Sequence, residues 1–220
     1  MAAVPEPTTT ADGFAPLPGL VDFAASGLLH WLGNSLFAIQ GHAQMLGLDP
    51  APRARGVQEV LKGARQAQSA LDVFRWLVAD RRSTQPIQIG VLLPRLCEGI
   101  RIPLRARGIG LDHLHTSNET PRHVCGVVAT QAIVGVVRTL VGRLPAGYEG
   151  RLVLDLTRQT PNVELALRLV PAGAMLPFRV AIPEIAAAAN DSVRGLDVAV
   201  AGDHVGQRLT LTLPPVNVSG

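Results

Sequence analysis

Two long amphipathic segments separated by a proline-containing turn place the strongest constraint on how this chain folds. In the first segment, apolar residues recur at steps of three and four: Leu28, Leu29, Leu32, Leu36, Ile39, Ala43 and Leu46. Gly47–Pro52 ends this helix, because proline lacks an amide hydrogen and restricts the residue before it. A second stripe predicts a helix from about Arg53 to Arg81: Val57, Val60, Leu61, Ala64, Ala67, Leu71, Phe74, Leu77 and Val78. The sequence therefore predicts an antiparallel helical hairpin.

A single hairpin of this kind leaves much of both apolar stripes in contact with water. Burial of apolar surface is favourable by about 25 cal/mol per Å². We therefore expect a homodimer in which two hairpins pair as a four-helix bundle.

The chain after Ser83–Pro86 has mixed periodicity, which predicts an α+β fold in which an α/β sandwich follows the hairpin. Helices are expected at residues 91–107, 122–143 and 182–190, and strands at residues 86–90, 109–115, 151–158, 163–170, 195–201 and 207–213. The predicted organisation is a disordered tail over residues 1–18, the hairpin over residues 19–83 and the sandwich over residues 86–215.

Composition and charge exclude several classes of protein. Net charge is +3, and nineteen arginines spread along the chain accompany a single lysine. Aromatic residues make up 4% of the chain, so we expect no nucleic-acid binding, which usually combines clustered basic residues with aromatics. The most apolar run, Gly126–Val137, is too short to span a membrane, and no secretory signal is visible. Cys97 and Cys125 match no metal spacing and indicate reduced thiols in a cytoplasmic protein.

One segment of the first helix carries a recognisable pattern. His30 is followed by Asn34 four residues later, and an Ile-x-Gly-x-Ala-x-x-Leu run occupies residues 39–46. This pattern resembles the histidine box of two-component sensor histidine kinases. Leu104–Ile109 and Gly206–Pro214 resemble the beginning and the last strand of the ATP-binding domain in the same family. The resemblance follows the order of elements over residues 20–214 and is specific at the histidine box.

The chain departs from that family where ATP would bind. Active kinases carry an Asn-rich helix for magnesium, an Asp-x-Gly motif for adenine and a glycine-containing lid. Here Gln131–Thr139 contains no asparagine, Leu169–Gly173 replaces the Asp-x-Gly motif, and the segment after Gly173 is too short for a lid. Magnesium requires hard oxygen ligands and a triphosphate requires hydrogen-bond donors. We therefore expect no ATP binding, no autokinase activity and no cofactor on this chain.

The resemblance implies a histidine phosphotransferase, similar to the dimeric phosphotransferases of bacterial phosphorelays, in which His30 is the phosphoacceptor. A neutral imidazole is a good nucleophile near pH 7 and can exchange phosphate with aspartyl phosphates. The partners implied are response-regulator receiver domains, which bring their own magnesium. An alternative is a degenerate kinase that dimerises and docks receivers as an adaptor without accepting phosphate.

For some residues near His30 the sequence indicates one role, and for others it leaves two alternatives. Asn34 either orients water for dephosphorylation of a receiver, which is a third possible function, or hydrogen-bonds to solvent. Trp31 occupies a position that is usually acidic in the family, and we interpret Trp31 and Phe37 as partner-docking residues. The other histidines are expected to be surface or packing residues: His42, His113, His115, His123 and His204. Several arginines form a solvated face or contact an acidic receiver: Arg53, Arg55, Arg75, Arg81 and Arg82.

Overall fold

The structure is a computed structural model. It describes residues 19–48, 53–80, 83, 85–115, 119, 122–172, 182–194, 196, 198–203 and 208–216. The predicted tail, Arg81, Arg82 and His204 lie outside these ranges.

The chain forms a helical hairpin followed by a mixed α/β sandwich, which confirms the predicted fold class. The five helices are α1 (Leu20–Leu48), α2 (Arg53–Val78), α3 (Ile89–Arg105), α4 (Gly126–Gly142) and α5 (Ile182–Ser192). The seven strands are β1 (Pro86–Gln88), β2 (Ile109–His115), β3 (His123–Cys125), β4 (Gly150–Arg158), β5 (Val163–Pro171), β6 (Ala199–Asp203) and β7 (Arg208–Leu213).

Five of the strands form one sheet in the order β2-β4-β5-β7-β6. The β2–β4 pair is parallel and the other three pairs are antiparallel. Alternate residues of β4 face the helices because successive side chains of a strand point to opposite faces. These residues are fully buried in the same core as the helices: Leu152, Leu154 and Leu156.

The predicted helix over residues 122–143 was wrong at its beginning. His123–Cys125 instead forms β3, which pairs antiparallel with β1 so that Cys125 lies opposite Pro86. The amide of Gly126 donates to the carbonyl of Gln85, and α4 begins there. The expected ends of other elements also shift, since α2 ends at Val78, α3 begins at Ile89 and β6 covers residues 199–203.

The hairpin and the sandwich share one continuous core. Leu20, Ala24 and Leu28 on α1 belong to the same buried cluster as α3, α4 and the sheet. At the centre of the contact between α1 and α3, a Cβ atom placed on Gly27 would overlap the carbonyl oxygen of Gly99. The two backbones therefore touch directly, and only glycine at position 27 allows this approach.

A buried amide side chain makes a further contact between the hairpin and the sandwich. Gln131 on α4 donates from Nε2 to the carbonyl oxygens of Trp76 (3.3 Å), Leu77 (3.3 Å) and Ala79 (3.1 Å) at the end of α2. The last carbonyls of a helix have no partners within the helix. Gln131 therefore supplies these carbonyls with a donor and ties α4 to the hairpin.

Both cysteines are free thiols. Cys97 is completely buried on α3, and this burial raises the pKa of its thiol to about 12. Because the thiolate is the reactive form, Cys97 is an inert packing residue. Cys125 donates a hydrogen bond from its thiol to the carbonyl oxygen of Ser83, at 2.9 Å.

We expect Gly27→Ala to destabilise the protein by about 2 kcal/mol, because the added methyl group forces α1 away from α3. The matched control is Gly41→Ala on the same helix, where an added Cβ meets nothing within 4 Å. The control should gain up to about 1 kcal/mol, since alanine has the higher helix propensity. Urea unfolding of both variants checks the expectation, and equal stabilities would show that the close contact between α1 and α3 does not exist.

Candidate functional site

His30 and Asn34 form a hydrogen-bonded pair on the exposed surface of α1. The Asn34 Nδ2 atom lies 2.9 Å from His30 Nε2, one helical turn away. An amide NH₂ group can only donate, so in this arrangement Nε2 accepts the hydrogen bond and the ring proton is on Nδ1. The structure therefore brings the two predicted site residues together and gives Nε2 the lone pair.

Trp31 orients the histidine relative to the sandwich. Its side chain is half-buried and packs against the common core, and its carbonyl oxygen accepts a hydrogen bond from the buried Ser35 hydroxyl at 2.9 Å. Neighbouring residues of a helix point about 100° apart. Because Trp31 faces the core, His30 faces sideways along the flank of the molecule. Only part of Trp31 is left for the partner docking that the sequence predicted.

Phe37 lies two helical turns beyond His30 on this flank and is 78% exposed. An aromatic ring this open is a common anchor for a binding partner. His30, Asn34 and Phe37 together form a surface that we call the histidine face. The imidazole, an amide and an aromatic ring are thus presented side by side on one helix.

A second exposed surface of the hairpin repeats every seven residues. On α1 it contains Leu29 and Leu36, which are 67% and 54% exposed. On α2 the same spacing exposes Val57, Ala64, Leu71 and Val78. Gly33 lies between the two leucines, and a Cβ atom there would meet nothing within 4 Å. A seven-residue apolar repeat on adjacent helices is the pattern that packs against another helix pair, and we call this surface the apolar seam.

The α4 segment that the sequence analysis compared with the Asn-rich helix of the kinases lies in the core. Between Gln131 and Val137, every residue of α4 is buried. Ile185 and Ala189 of α5 belong to the same core cluster as α4. The expected lid segment, residues 173–181, lies outside the described residues. Within the described ranges, no three His, Cys, Asp or Glu side chains lie close enough together to hold a metal ion.

The remaining histidines and arginines occupy varied surroundings. His42 and His123 are half-buried and His113 is exposed. The Nε2 atom of His115 lies 3.2 Å from the Nε2 atom of the buried Gln159, a contact that the sequence did not predict. The side chains of Arg55 and Arg75 are exposed on α2, as expected for a solvated face.

Sequence reasoning missed the roles of Ser35 and Gln131. Both are polar residues at buried positions of otherwise apolar helix faces. That mismatch is a usable signal, because a buried polar side chain requires a hydrogen-bond partner. Their partners, the Trp31 carbonyl and the end of α2, depend on packing that the pattern of the helices alone does not specify.

Comparisons with known proteins give fold-level likenesses only. No protein-family model and no curated protein matches the chain. A solved bacterial phosphotransferase is 11% identical, with 90% of this chain and 99% of that chain covered and a TM-score of 0.37. The histidine kinase AdeS of Acinetobacter baumannii is 12% identical, with 86% and 98% covered and a TM-score of 0.43. A histidine kinase of Burkholderia phymatum is 14% identical, with 86% and 97% covered and a TM-score of 0.40. At TM-scores below 0.5, these likenesses decide nothing about function.

No helix in the part of the chain that the structure describes is both long and apolar enough to cross a membrane.

Proposed function

We propose that this protein is a histidine phosphotransferase of a bacterial phosphorelay, in which His30 carries phosphate between receiver domains without ATP. The observation that carries the proposal is the exposed His30 imidazole, whose Nε2 atom is held 2.9 Å from the Asn34 amide on the flank of a packed helix. Such a ring is accessible to a docked protein and is already oriented by its neighbour.

The proposed transfer needs few groups on this chain. The Nε2 lone pair attacks the phosphorus of an aspartyl phosphate on the donor receiver, an N–P bond forms, and the P–O bond to the aspartate breaks to release its carboxylate. The Asn34 amide must leave Nε2 as the bond forms, and it can then donate to a phosphoryl oxygen. A second receiver's aspartate reverses the process by attacking the same phosphorus. Magnesium in the receiver neutralises the phosphoryl oxygens.

The surroundings of α4 support a route without nucleotide. The side chains from Gln131 to Val137 are buried, and the Gln131 amide donates to the end of α2. Hard oxygen ligands for magnesium and donors for a triphosphate would have to come from elsewhere. In this proposal the phosphate therefore arrives already bound to a protein, and the chain itself uses no cofactor.

Two alternatives share the same surface. A docking adaptor would use Phe37 and the exposed part of Trp31 to bind receivers, with no chemistry at His30. A receiver phosphatase would use the exposed Asn34 amide to orient a water molecule. The adaptor does not require the imidazole, and the phosphatase requires Asn34 more than His30.

Substitution at the histidine face separates these three functions. His30→Gln keeps a polar side chain of similar reach and should abolish labelling by a phosphorylated receiver, because no nucleophile remains. Asn34→Ala should retain transfer and slow any loss of receiver phosphate to water. The measurement is the transfer of radioactive phosphate from a panel of phosphorylated receivers.

The control is His42→Gln, which alters another histidine of α1 outside the histidine face and should leave transfer unchanged. If receivers bind the wild-type chain but never transfer phosphate to it, the function is that of a docking adaptor. Accelerated loss of receiver phosphate that requires Asn34 and survives His30→Gln would favour the phosphatase.

We expect a homodimer through the apolar seam, with a mass in solution twice the 23.2 kDa of one chain. Leu36→Glu places a charge in the seam and should shift the mass to that of a monomer, because burying an unpaired charge is costly. Multi-angle light scattering at micromolar concentration measures both masses.

The control for this variant is Val170→Glu, which puts the same charge on β5 at a residue that is 48% exposed. It should leave the dimer intact. A wild-type mass of a single chain, or a dimer that survives Leu36→Glu, would show that the seam is not the dimer interface.

We expect no thermal stabilisation by ATP with magnesium. A ligand present at a hundredfold its dissociation constant stabilises a folded protein by about 2.7 kcal/mol, so true binding would be visible in a melting curve. A saturable rise in Tm at millimolar ATP would contradict the proposal and favour a kinase.

A further inference from the structure

His30 borders the apolar seam on the side that its own chain leaves open. It directly follows Leu29 of the seam, whereas Leu28, directly before Leu29, is buried in the core of its own chain. Neighbouring residues of a helix point about 100° apart, so His30 and Leu28 lie on opposite sides of the seam. One turn further along, a Cβ atom on Gly33 would meet nothing within 4 Å. The edge of the seam beside His30 is therefore open to a side chain from another chain.

Arg75 has the corresponding position on α2. Its exposed side chain lies four residues after Leu71 of the seam, about 40° round the helix. Ala70, directly before Leu71, points to the other side of the seam and is buried, with 2% exposure. Arg75 therefore also borders the seam on the side that faces away from its own chain.

Packing within the hairpin shows that His30 and Arg75 lie at similar heights along the two helices. A Cβ atom on Gly63 of α2 would lie 2.8 Å from the Ile39 side chain of α1, so these two residues are level with each other. His30 precedes Ile39 by nine residues, and Asp72 follows Gly63 by nine. Because the helices are antiparallel and both rise about 1.5 Å per residue, His30 is level with Asp72, one turn from Arg75.

The dimer expected through the apolar seam brings His30 of one chain next to Arg75 of the other. A two-fold axis parallel to the helices places each helix diagonally opposite its own copy, so α1 lies beside its own α2 and beside α2 of the partner. Heights along the bundle are unchanged by such an axis. Side chains of a helix lean toward its N-terminus. Since the helices are antiparallel, His30 and the partner's Arg75 lean toward each other.

We infer that Arg75 of the partner subunit completes the phosphoryl site at His30, an inference that rests on the proposed function and on the expected dimer. As the bond from Nε2 to phosphorus forms and the bond from phosphorus to the donor oxygen breaks, the guanidinium donates two parallel hydrogen bonds to phosphoryl oxygens. It stays protonated throughout and exchanges no proton. Each site is therefore built from two chains, and the dimer is the functional unit.

Mixed dimers of an Arg75→Gln chain and a His30→Gln chain test this arrangement. The Arg75→Gln homodimer should be labelled about tenfold more slowly than the wild type, as expected for loss of a hydrogen bond to a charged group. The His30→Gln homodimer should not be labelled. In the mixed dimer, His30 of the first chain lies beside the intact Arg75 of the partner subunit, so rapid labelling of the first chain should return. The two chains carry different tags, and the mixed dimer is isolated through both.

Labelling is measured with two phosphoryl donors, phosphorylated receivers and the small molecule phosphoramidate, which needs no docking. The matched control is Arg55→Gln, which removes the same charge from an exposed site of α2 about 30 Å from Arg75. It should be labelled like the wild type by both donors. Arg75→Lys keeps the charge without the planar group and should show a smaller loss in the same direction. It replaces Arg75→Gln if that chain fails to fold or to dimerise.

Slow labelling that the mixed dimer does not restore would show that Arg75 acts within its own chain or at another step, and would overturn the inference. A wild-type rate for the Arg75→Gln homodimer, an equal loss in Arg55→Gln, or a monomeric wild type would also overturn it.

The composite site and the proposed function fail in different ways. If receivers label the wild type and the Arg75→Gln homodimer equally fast, His30 remains the carrier and the composite site is wrong. If phosphoramidate labels His30 with the expected recovery in the mixed dimer but no receiver does, the composite site stands and the carrier is wrong. If neither donor labels the wild type, both are wrong.

Discussion

The backbone contact between Gly27 on α1 and Gly99 on α3 determines how the histidine face is presented. Because an added Cβ at Gly27 would overlap the Gly99 carbonyl, the two helices lie closer than larger residues allow. This contact seats the first half of α1 in the core of the sandwich and directs Trp31 toward that core. Because Trp31, the next residue along the helix, points toward the core, His30 faces the flank of the molecule.

The packing of the hairpin against the sandwich also affects how His30 could receive phosphate. An enzyme that phosphorylates its own histidine must bring a nucleotide-bearing domain to that residue. Here the sandwich is held to the hairpin by a shared apolar core and by the Gln131 amide at the end of α2. A separate protein that approaches the exposed flank needs no such movement. In the proposed function, phosphate is therefore delivered to His30 by a separate protein.

Local patterns were sufficient to predict α1, α2, β2, β4 and β5, because each has a long, regular alternation of apolar and polar residues. They were also sufficient to place His30 and Asn34 on one face, which depends only on helical geometry. β3 was missed because its three residues become a strand only by pairing with β1, more than thirty residues earlier. The half-burial of Trp31 was missed for the same reason, since it results from packing between distant segments.

Nε2 of His30 is the proposed site of phosphorylation, and the most direct measurement is chemical identification of the phosphorylated atom. The wild-type chain would be incubated with a phosphorylated receiver and studied by ³¹P–¹H correlation NMR, together with peptide mapping under alkaline conditions. The account predicts a single acid-labile phosphoramidate on His30, with the phosphorus coupled to the ring protons in the pattern of an Nε2 adduct. Phosphate on another side chain, or on Nδ1 of His30, would contradict it.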